Sequence, residues 1–412
     1  MRILYLSQYF PPEAGATQTR AYEMARNLVR LGHQVSMLAE IPNHPAGVIP
    51  PEYRGKLIER SDLDGIDVMR VWVKTSPVKN FTSRMLFYLS FMLNATLAGL
   101  LVARGRYDLI YASSPPLFVG GAALALSVLR GIPLVFEVRD LWPQIAVALG
   151  ELTQPAAIRW ATRLERACYR RARAIVVVTQ GDRQRLLESG LPEQKLIHIP
   201  NGANLELFQE RPEGRRRVRR ELGLEGKFVA IYAGIHGLAQ GLETLVEAAR
   251  QLADHPNIQL LLVGEGPRKS AIQELIVKYG LENVCLLPEQ PRERIPDYLS
   301  AADLALIPLK NLAFFKGTIP SKLFDSWACR RPVILSVDGE ARQIVAAAGG
   351  GVYVEAENPR ALAEALLELE RDSERLKEMG ENGRLYTEKY YSRRALAHKL
   401  ERALKDLDLT GF

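Results

Sequence analysis

Short, near-continuously apolar runs separated by helical stretches recur along the whole sequence, and this alternation constrains the fold more than any other feature. In the first half the runs are Ile3–Tyr9, Gln34–Ala39, Val68–Val73, Leu109–Ser113, Leu134–Val138 and Ala174–Thr179. In the second they are Phe228–Ala233, Ile258–Val263, Val284–Leu287, Leu304–Pro308, Pro332–Ser336 and Gly351–Val354. Between the first two runs, Ala21, Met24, Ala25 and Leu28 fall at i, i+3, i+4 and i+7, the spacing of one helix face. Further helices are expected over Leu242–Ala253, Lys269–Tyr279 and Arg360–Leu369. Strands apolar on both faces and separated by helices form a parallel sheet covered on both sides. A chain of 412 residues exceeds what one hydrophobic core usually supports. The expected fold class is therefore α/β, with two doubly wound Rossmann-like units. Residues 1–202 form the first and 203–389 the second, and a helical segment over 390–412 crosses back to the first. The boundary falls after Ile199-Pro200-Asn201-Gly202, and the charged run Arg211–Arg220 reads as a solvated helix start.

Composition excludes several classes. An apolar share of 47% with 25% charged residues is that of a soluble globular protein. The net charge of +7 is a modest bias, and no aromatic residues interleave the basic run as single-strand nucleic-acid binding would need. Cys168, Cys285 and Cys329 are widely spaced, with no CxxC pair, and the histidines form no HxxxH or HExxH pattern. No bound metal and no disulfide framework are expected, and a cytoplasmic location fits. The opening MRILYLSQYFPPE reads as a strand rather than a signal peptide.

Met85–Val102 is apolar around most of a helix and flanked by Arg84, Arg104 and Arg106. It is near the length that spans a bilayer, though Ser90, Asn94 and Thr96 interrupt it. A buried helix is one reading; partial contact with an anionic membrane, through residues such as Leu86, Phe87 and Phe91, is favoured because cations sit at its ends. Arg159, Arg163, Arg166, Arg170, Arg171 and Arg173 mostly recur at helical spacing and either form a solvated face or extend that surface.

The segment Gly317–Glu340 carries the most chemical information. Pro320 starts a helix, Thr318, Ile319, Ser321 and Lys322 offer amides and a cation at its positive end, and Asp325 lies further in. That pattern suits a phosphate, with the carboxylate on a sugar hydroxyl. Glycine-rich turns follow three strands: Glu13-Ala14-Gly15-Ala16, then Gly234-Ile235-His236-Gly237 with Gln240-Gly241, and Gly264-Glu265-Gly266. All stand at carboxyl ends of strands, where open α/β sheets bind ligands, and two facing units would direct them into one cleft. Arg139 and Asp140 end another strand; Asp140 either caps the following helix or orients an acceptor hydroxyl.

Together these segments resemble the retaining, nucleotide-sugar-dependent glycosyltransferases of the GT-B fold, in the family 4 branch that builds bacterial surface polysaccharide. The resemblance runs through LSQYFPPEAGATQTRAYEMARNL, EVRDLWP, IPNGAN, YAGIHGLAQGLETL, LLVGEGP and PSKLFDSWACRRPVI. It includes the transferase type that moves N-acetyl-fucosamine in O-antigen assembly, without fixing the sugar here. The resemblance implies a UDP-sugar donor, hexosyl or N-acetylhexosaminyl transfer without metal, and no cofactor. It also implies a polyprenyl-diphosphate-linked acceptor met by a peripherally attached enzyme at the inner membrane face. The donor side comprises Gly15, Ala16, Gly234, Gln240, Gly241, Gly264, Gly266, Pro288, Thr318, Ile319, Pro320, Ser321 and Asp325; the acceptor side comprises Glu13 and Arg139; catalysis falls to Asp140, Lys269 and Lys322. Several positions depart from the family. Gly317 and the shorter carboxylate Asp325 stand where it has two glutamates, Ile235 and Gln240 where many members have an arginine and a lysine, and the Arg139-Asp140 pair where many have a histidine. Lys269, Lys316 and Lys322 are the available replacements for the missing cations. An epimerase of the same fold and a non-catalytic nucleotide-sugar or lipid-binding protein are the alternatives.

Overall fold

The computed structural model describes residues 1–407 apart from 14, 44, 45, 79, 104, 149 and 151, and at 313 and 314 the backbone alone. Ala14, Arg104 and residues 408–412 of the sequence expectations lie outside the described residues. The chain divides into two compact units, Met1–Pro200 with Arg394–Phe412, and Asn201–Arg393.

The first unit holds β1 (Arg2–Leu6), β2 (Gln34–Glu40), β3 (Ile58–Leu63), β4 (Ile66–Val71), β5 (Leu109–Ser114), β6 (Leu134–Val138), β7 (Ala174–Val177) and β8 (Leu196–His198). Its helices are α1 (Ala16–Arg30), α2 (Phe81–Leu101), α3 (Phe118–Arg130), α4 (Gln144–Ala148), α5 (Pro155–Arg171) and α6 (Gln180–Glu188). The sheet order is β3-β4-β2-β1-β5-β6-β7-β8. It is parallel except for β3, which runs antiparallel to β4. The sequence expectation lacked β3 and β8. In β3, exposed and half-buried residues alternate as befits an edge strand, but four polar residues in a row hide it from an apolar pattern; the signal for it was Asp64-Gly65, whose φ values of 53° and 79° make a two-residue hairpin turn. The order reverses between β1 and β5, so ligand-binding loops belong at the carboxyl ends of those strands.

The second unit holds α7 (Pro212–Leu222), β9 (Phe228–Ala233), α8 (Glu243–Gln251), β10 (Ile258–Val263), α9 (Lys269–Tyr279), β11 (Val284–Leu287), α10 (Ile295–Ala301), β12 (Leu304–Pro308), α11 (Lys322–Ala328), β13 (Val333–Ser336), α12 (Glu340–Ala348), β14 (Gly351–Tyr353), α13 (Pro359–Glu370) and α14 (Ser373–Tyr390). Its parallel sheet is ordered β11-β10-β9-β12-β13-β14 and reverses between β9 and β12. The basic run over 211–220 starts α7 as expected, with Arg216, Arg217 and Arg220 exposed, but part of it is tied to α10. Arg215 and Arg219 both pair with Asp303, Arg217 pairs with Asp297, and Arg215 also donates to the carbonyls of Ser300 and Ala302. The carbonyls ending α10 need donors, and these arginines supply them.

The helical segment expected over 390–412 is present and joins the first unit, but it starts later, at Arg393. α14 stops at Tyr390, Ala203 bonds with Tyr391 and Arg393, and α15 (Arg393–Lys405) follows. Leu396, Ala397, Leu400 and Leu404 bury one face of α15 in the first unit's core beside Ala21, Met24 and Leu28. His33 and Glu401, 3.2 Å apart, join it to the end of α1. Leu400→Ala should cost roughly 2–5 kcal/mol, the range for removing a buried leucine. Calorimetric melting would show it as a fall in the first unit's transition; an unchanged curve would remove α15 from that core.

On the opposite face, α2, α3 and α5 cover the sheet. Only Phe91, Ala95, Ala98 and Gly99 of α2 are buried, so it is no core helix. Leu86, Leu89, Leu93, Leu97, Leu100 and Leu101 form an exposed stripe. Phe91, expected on the outer face, belongs to the core, and Phe87 is half-buried against it. Phe118 stacks on Tyr88 of α2 and meets Trp160 of α5, so the three helices share an aromatic seam. Arg159, Arg163, Arg166 and Arg170 are exposed along α5, whereas Arg171 is bound to Ser127 of α3.

Candidate active site

The best-built site lies in the second unit, at the carboxyl ends of β9 and β10. Two glycine-rich turns are zipped together there. Gly234 donates to Val263 O at 2.9 Å, His236 to Glu265 O at 2.7 Å, and Arg268 back to His236 O at 2.9 Å. A Cβ on Gly264 would lie 1.9 Å from Gly234 O, and one on Gly266 2.4 Å from His236 O, so only glycine permits this approach. Tyr232 donates its hydroxyl to Ile235 O at 2.6 Å and fixes the first turn.

Lys322 enters this frame from α11. Its Nζ sits 3.7 Å from the centre of the Tyr232 ring, and a Cβ on Gly234 would be 2.7 Å from it. Nζ is buried and has no hydrogen-bond partner among the described residues. Burial pushes its pKa down to about 7, and the Asp325 charge only partly opposes this. The ring face favours a cation but does not replace water.

The three lysines expected to share this role are separated by their surroundings. Lys269 is paired with Glu265, one turn back, and also donates to Leu287 O at 3.3 Å. Lys316 is exposed and 3.6 Å from Asp338. Gln240 folds its carboxamide over Gly237, where a Cβ would lie 2.5 Å from Oε1, and Gly241 packs on Lys310. The Thr318 amide, expected to be free, donates to Phe315 O at 2.9 Å because the chain enters from a 3-10 turn, Ala313–Gly317. The helix opens at Lys322 rather than at Pro320; Ile319 is buried, and Ser321 precedes the first helical residue without a side-chain cap. Pro288 is exposed at the end of β11. Beside the site, Lys310, Lys316, Asp338, Tyr353 and Glu355 line a cavity of ≈ 200 Å³. Sequence reasoning missed Lys310 and His236. Among the described residues no three His, Cys, Asp or Glu side chains gather to hold a metal ion.

The remaining expected residues belong to the first unit, so Gly15, Ala16 and Asp140 do not join Lys322 within one unit. Gly15 precedes α1 with φ 148°, and Ala16 is its first residue. Glu13 accepts the Asn43 amide at 2.7 Å, and beside it burial raises the Glu40 carboxyl well above the usual range. Arg139 and Asp140 follow β6. The helix that Asp140 was a candidate to cap opens at Gln144, directly after Pro143, so Asp140 does not cap it. Burial raises its pKa while Arg139 opposes the shift. The Nε and Nη1 of Arg139 are buried without hydrogen-bond partners among the described residues. Beneath them Glu137 accepts from Arg20, Tyr111 and Ser113. The Arg20 charge and these donors hold Glu137 below the usual carboxylate pKa against the effect of burial. No sequence signal links Arg20 to Glu137.

Comparison with known proteins places this geometry. Residues 15–202 match the family model described as a glycosyl transferase 4-like domain, and residues 214–386 that of glycosyl transferases group 1. D-inositol 3-phosphate glycosyltransferase 1 of Catenulispora acidiphila is 31% identical over 295 residues, 68% of each chain. WcaI of Escherichia coli (strain K12), a glycosyl transferase assigned to colanic acid biosynthesis, is 25% identical over 346 residues, 83% of this chain and 82% of that one. Among solved structures, sucrose-phosphate synthase from Thermosynechococcus elongatus superposes with a TM-score of 0.77 at 20% identity, over 100% of both chains. Anabaena HepE in complex with UDP and glucose gives 0.74 at 18%, over 98% of this chain and 99% of that one. These are GT-B architectures, and the chain, with a 4-like domain followed by a group 1 domain, belongs to the group 1 glycosyl transferases.

Proposed function

We propose that this protein transfers a hexosyl or N-acetylhexosaminyl group, with retention, from a UDP-sugar to a polyprenyl-diphosphate-linked glycan in bacterial surface-polysaccharide synthesis. The observation that carries the donor half is the buried, unbonded ammonium of Lys322 among close-packed glycine turns. In the transfer, the bond from the anomeric carbon to the diphosphate oxygen breaks and its electron pair stays on that oxygen. The acceptor oxygen bonds the anomeric carbon, and its proton passes to the leaving phosphate. Lys322 stabilises the charge that grows there, an electrostatic task that a preorganised cation performs without metal. Asp325, one turn along α11, is assigned to a hydroxyl of the nucleotide ribose. That HepE was solved with UDP and with UDP-glucose supports the choice of nucleotide.

For the acceptor half, Arg139 offers guanidinium nitrogens to an anionic group, and Asp140 orients the attacking hydroxyl. The exposed leucines of α2 and arginines of α5 support peripheral attachment at a cytoplasmic membrane face. A thermal-shift screen against UDP-, GDP- and ADP-sugars tests the donor, since a ligand binding only the folded state raises the melting temperature by mass action. UDP-sugars should shift it most. Release of UDP that begins only when a polyprenyl-diphosphate-linked sugar is added would identify a transferase; donor binding with no such turnover would overturn the reading.

A further inference from the structure

The glycine turn after β9 holds a residue that the lysine site does not explain. His236 is 0% exposed, and neither Nδ1 nor Nε2 has a hydrogen-bond partner among the described residues. Buried polar nitrogens are rarely left so; a water, an ion or a ligand completes them. The backbone of His236 is committed on both sides, its N–H to Glu265 O and its carbonyl to Arg268 N–H, so the residue is held in place by its main chain and not by its ring nitrogens. Gly264 crowds the ring, since a Cβ there would lie 3.1 Å from Cδ2. The ring centre is 5.8 Å from that of Tyr232, the same ring that carries the Lys322 ammonium. The imidazole and the cation therefore flank one aromatic side chain, in the turn where the family has an arginine and a lysine and this chain has Ile235 and Gln240.

We propose that His236 donates a hydrogen bond from its neutral ring to the diphosphate of the nucleotide sugar and, with Lys322, replaces the two cations this turn lacks. This deepens the reading of the second unit as a nucleotide-sugar site and rests on it. The groups around the ring support the neutral form: burial first, then the Lys269 and Lys322 charges, push its pKa down to about 4, and Glu265 alone opposes them. A neutral imidazole carries one N–H whichever tautomer is present. It thus donates across the working pH range without gaining or losing a proton. As charge moves onto the leaving diphosphate, that hydrogen bond strengthens.

The test is UDP binding to the full chain by calorimetry, with turnover measured alongside, for wild type, His236→Phe and His236→Gln. Phe keeps a ring and removes the donor; Gln keeps an N–H. UDP should bind His236→Phe at least about tenfold more weakly, the loss of a hydrogen bond to a charged group. Uridine, which lacks phosphate, should discriminate little between the variants, and Gln should recover part of the loss. Ring-nitrogen NMR of the wild type gives a second readout that needs no variant to fold: the His236 signals should move when UDP is added. Wild type that binds UDP, with His236→Phe within twofold of it or with unmoved ring signals, overturns the role of His236 and leaves the donor site standing. Wild type that binds no nucleoside diphosphate overturns both.

Discussion

Lys322→Met should lower kcat/KM by about 100-fold, the usual effect of removing one preorganised group that stabilises transition-state charge. The same variant should melt higher than wild type in the absence of nucleotide. Lys322 has no hydrogen-bond partner at Nζ, and burial has pushed its pKa down to about 7 from an unfolded value of about 10.4. Between those values the unfolded chain binds more protons than the folded one, so stability rises with pH across that window. The lysine therefore costs stability most at and below neutral pH, and methionine, with similar volume and no charge, removes that cost. Opposite signs for stability and activity separate this account from a structural one. A lysine that served packing alone would lose both together. Scanning calorimetry at pH 7 and pH 10 beside steady-state kinetics checks the pair; a variant that melts lower and stays active contradicts the assignment.

The alternation of apolar runs made the two sheets legible, and β6, β9, β10, β11 and β12 stand on or within one residue of the positions expected from it. Their boundaries are set by local residues: glycine turns end strands, and apolar periodicity marks the buried faces. The edge strand β3 was not legible as part of an apolar pattern, because one of its faces is solvent and its Asp64-Gly65 turn was the only cue. The motif around Pro320 pointed to the region of the proposed donor site, but not to which lysine is buried there. That choice depends on burial and pairing. Glu265, one turn before Lys269, pairs with that lysine, and nothing in the spacing shows that Lys322 lies over Tyr232. His236 was passed over because a side chain inside a glycine turn has no periodicity to betray its burial. The pairing of Arg20 with Glu137, 117 residues apart, is a product of topology alone.

Serine at Leu86, Leu93 and Leu97 together should abolish flotation with phosphatidylglycerol vesicles. These leucines are among the exposed residues of α2, while its buried contacts come from Phe91, Ala95, Ala98 and Gly99. Each leucine moved from water into the acyl boundary is worth about 2 kcal/mol, so three together exceed the strength of a marginal surface association. The arginines of α5 add roughly 1 kcal/mol each near an anionic surface. Raising the salt should therefore weaken binding of the wild type without eliminating it, because ionic screening does not reach the inserted leucines. The triple variant should keep its melting temperature and its affinity for UDP. Wild-type protein that stays with the aqueous fraction at low salt would contradict the membrane reading and leave the leucine stripe without a role.

The most direct measurement of the central claim is a UDP titration by calorimetry at pH 8 in two buffers that differ in heat of ionisation. With a pKa of about 7, Lys322 is mostly neutral in the free protein at that pH, and the diphosphate should restore its charge. Binding should then take up about one proton, and affinity should fall as pH rises above 7. The uptake should disappear in Lys322→Met. Binding with the same heat in both buffers, or uptake undiminished in Lys322→Met, would contradict the assignment of Lys322 to the diphosphate; no binding of UDP or of any other nucleoside diphosphate would contradict the donor site itself.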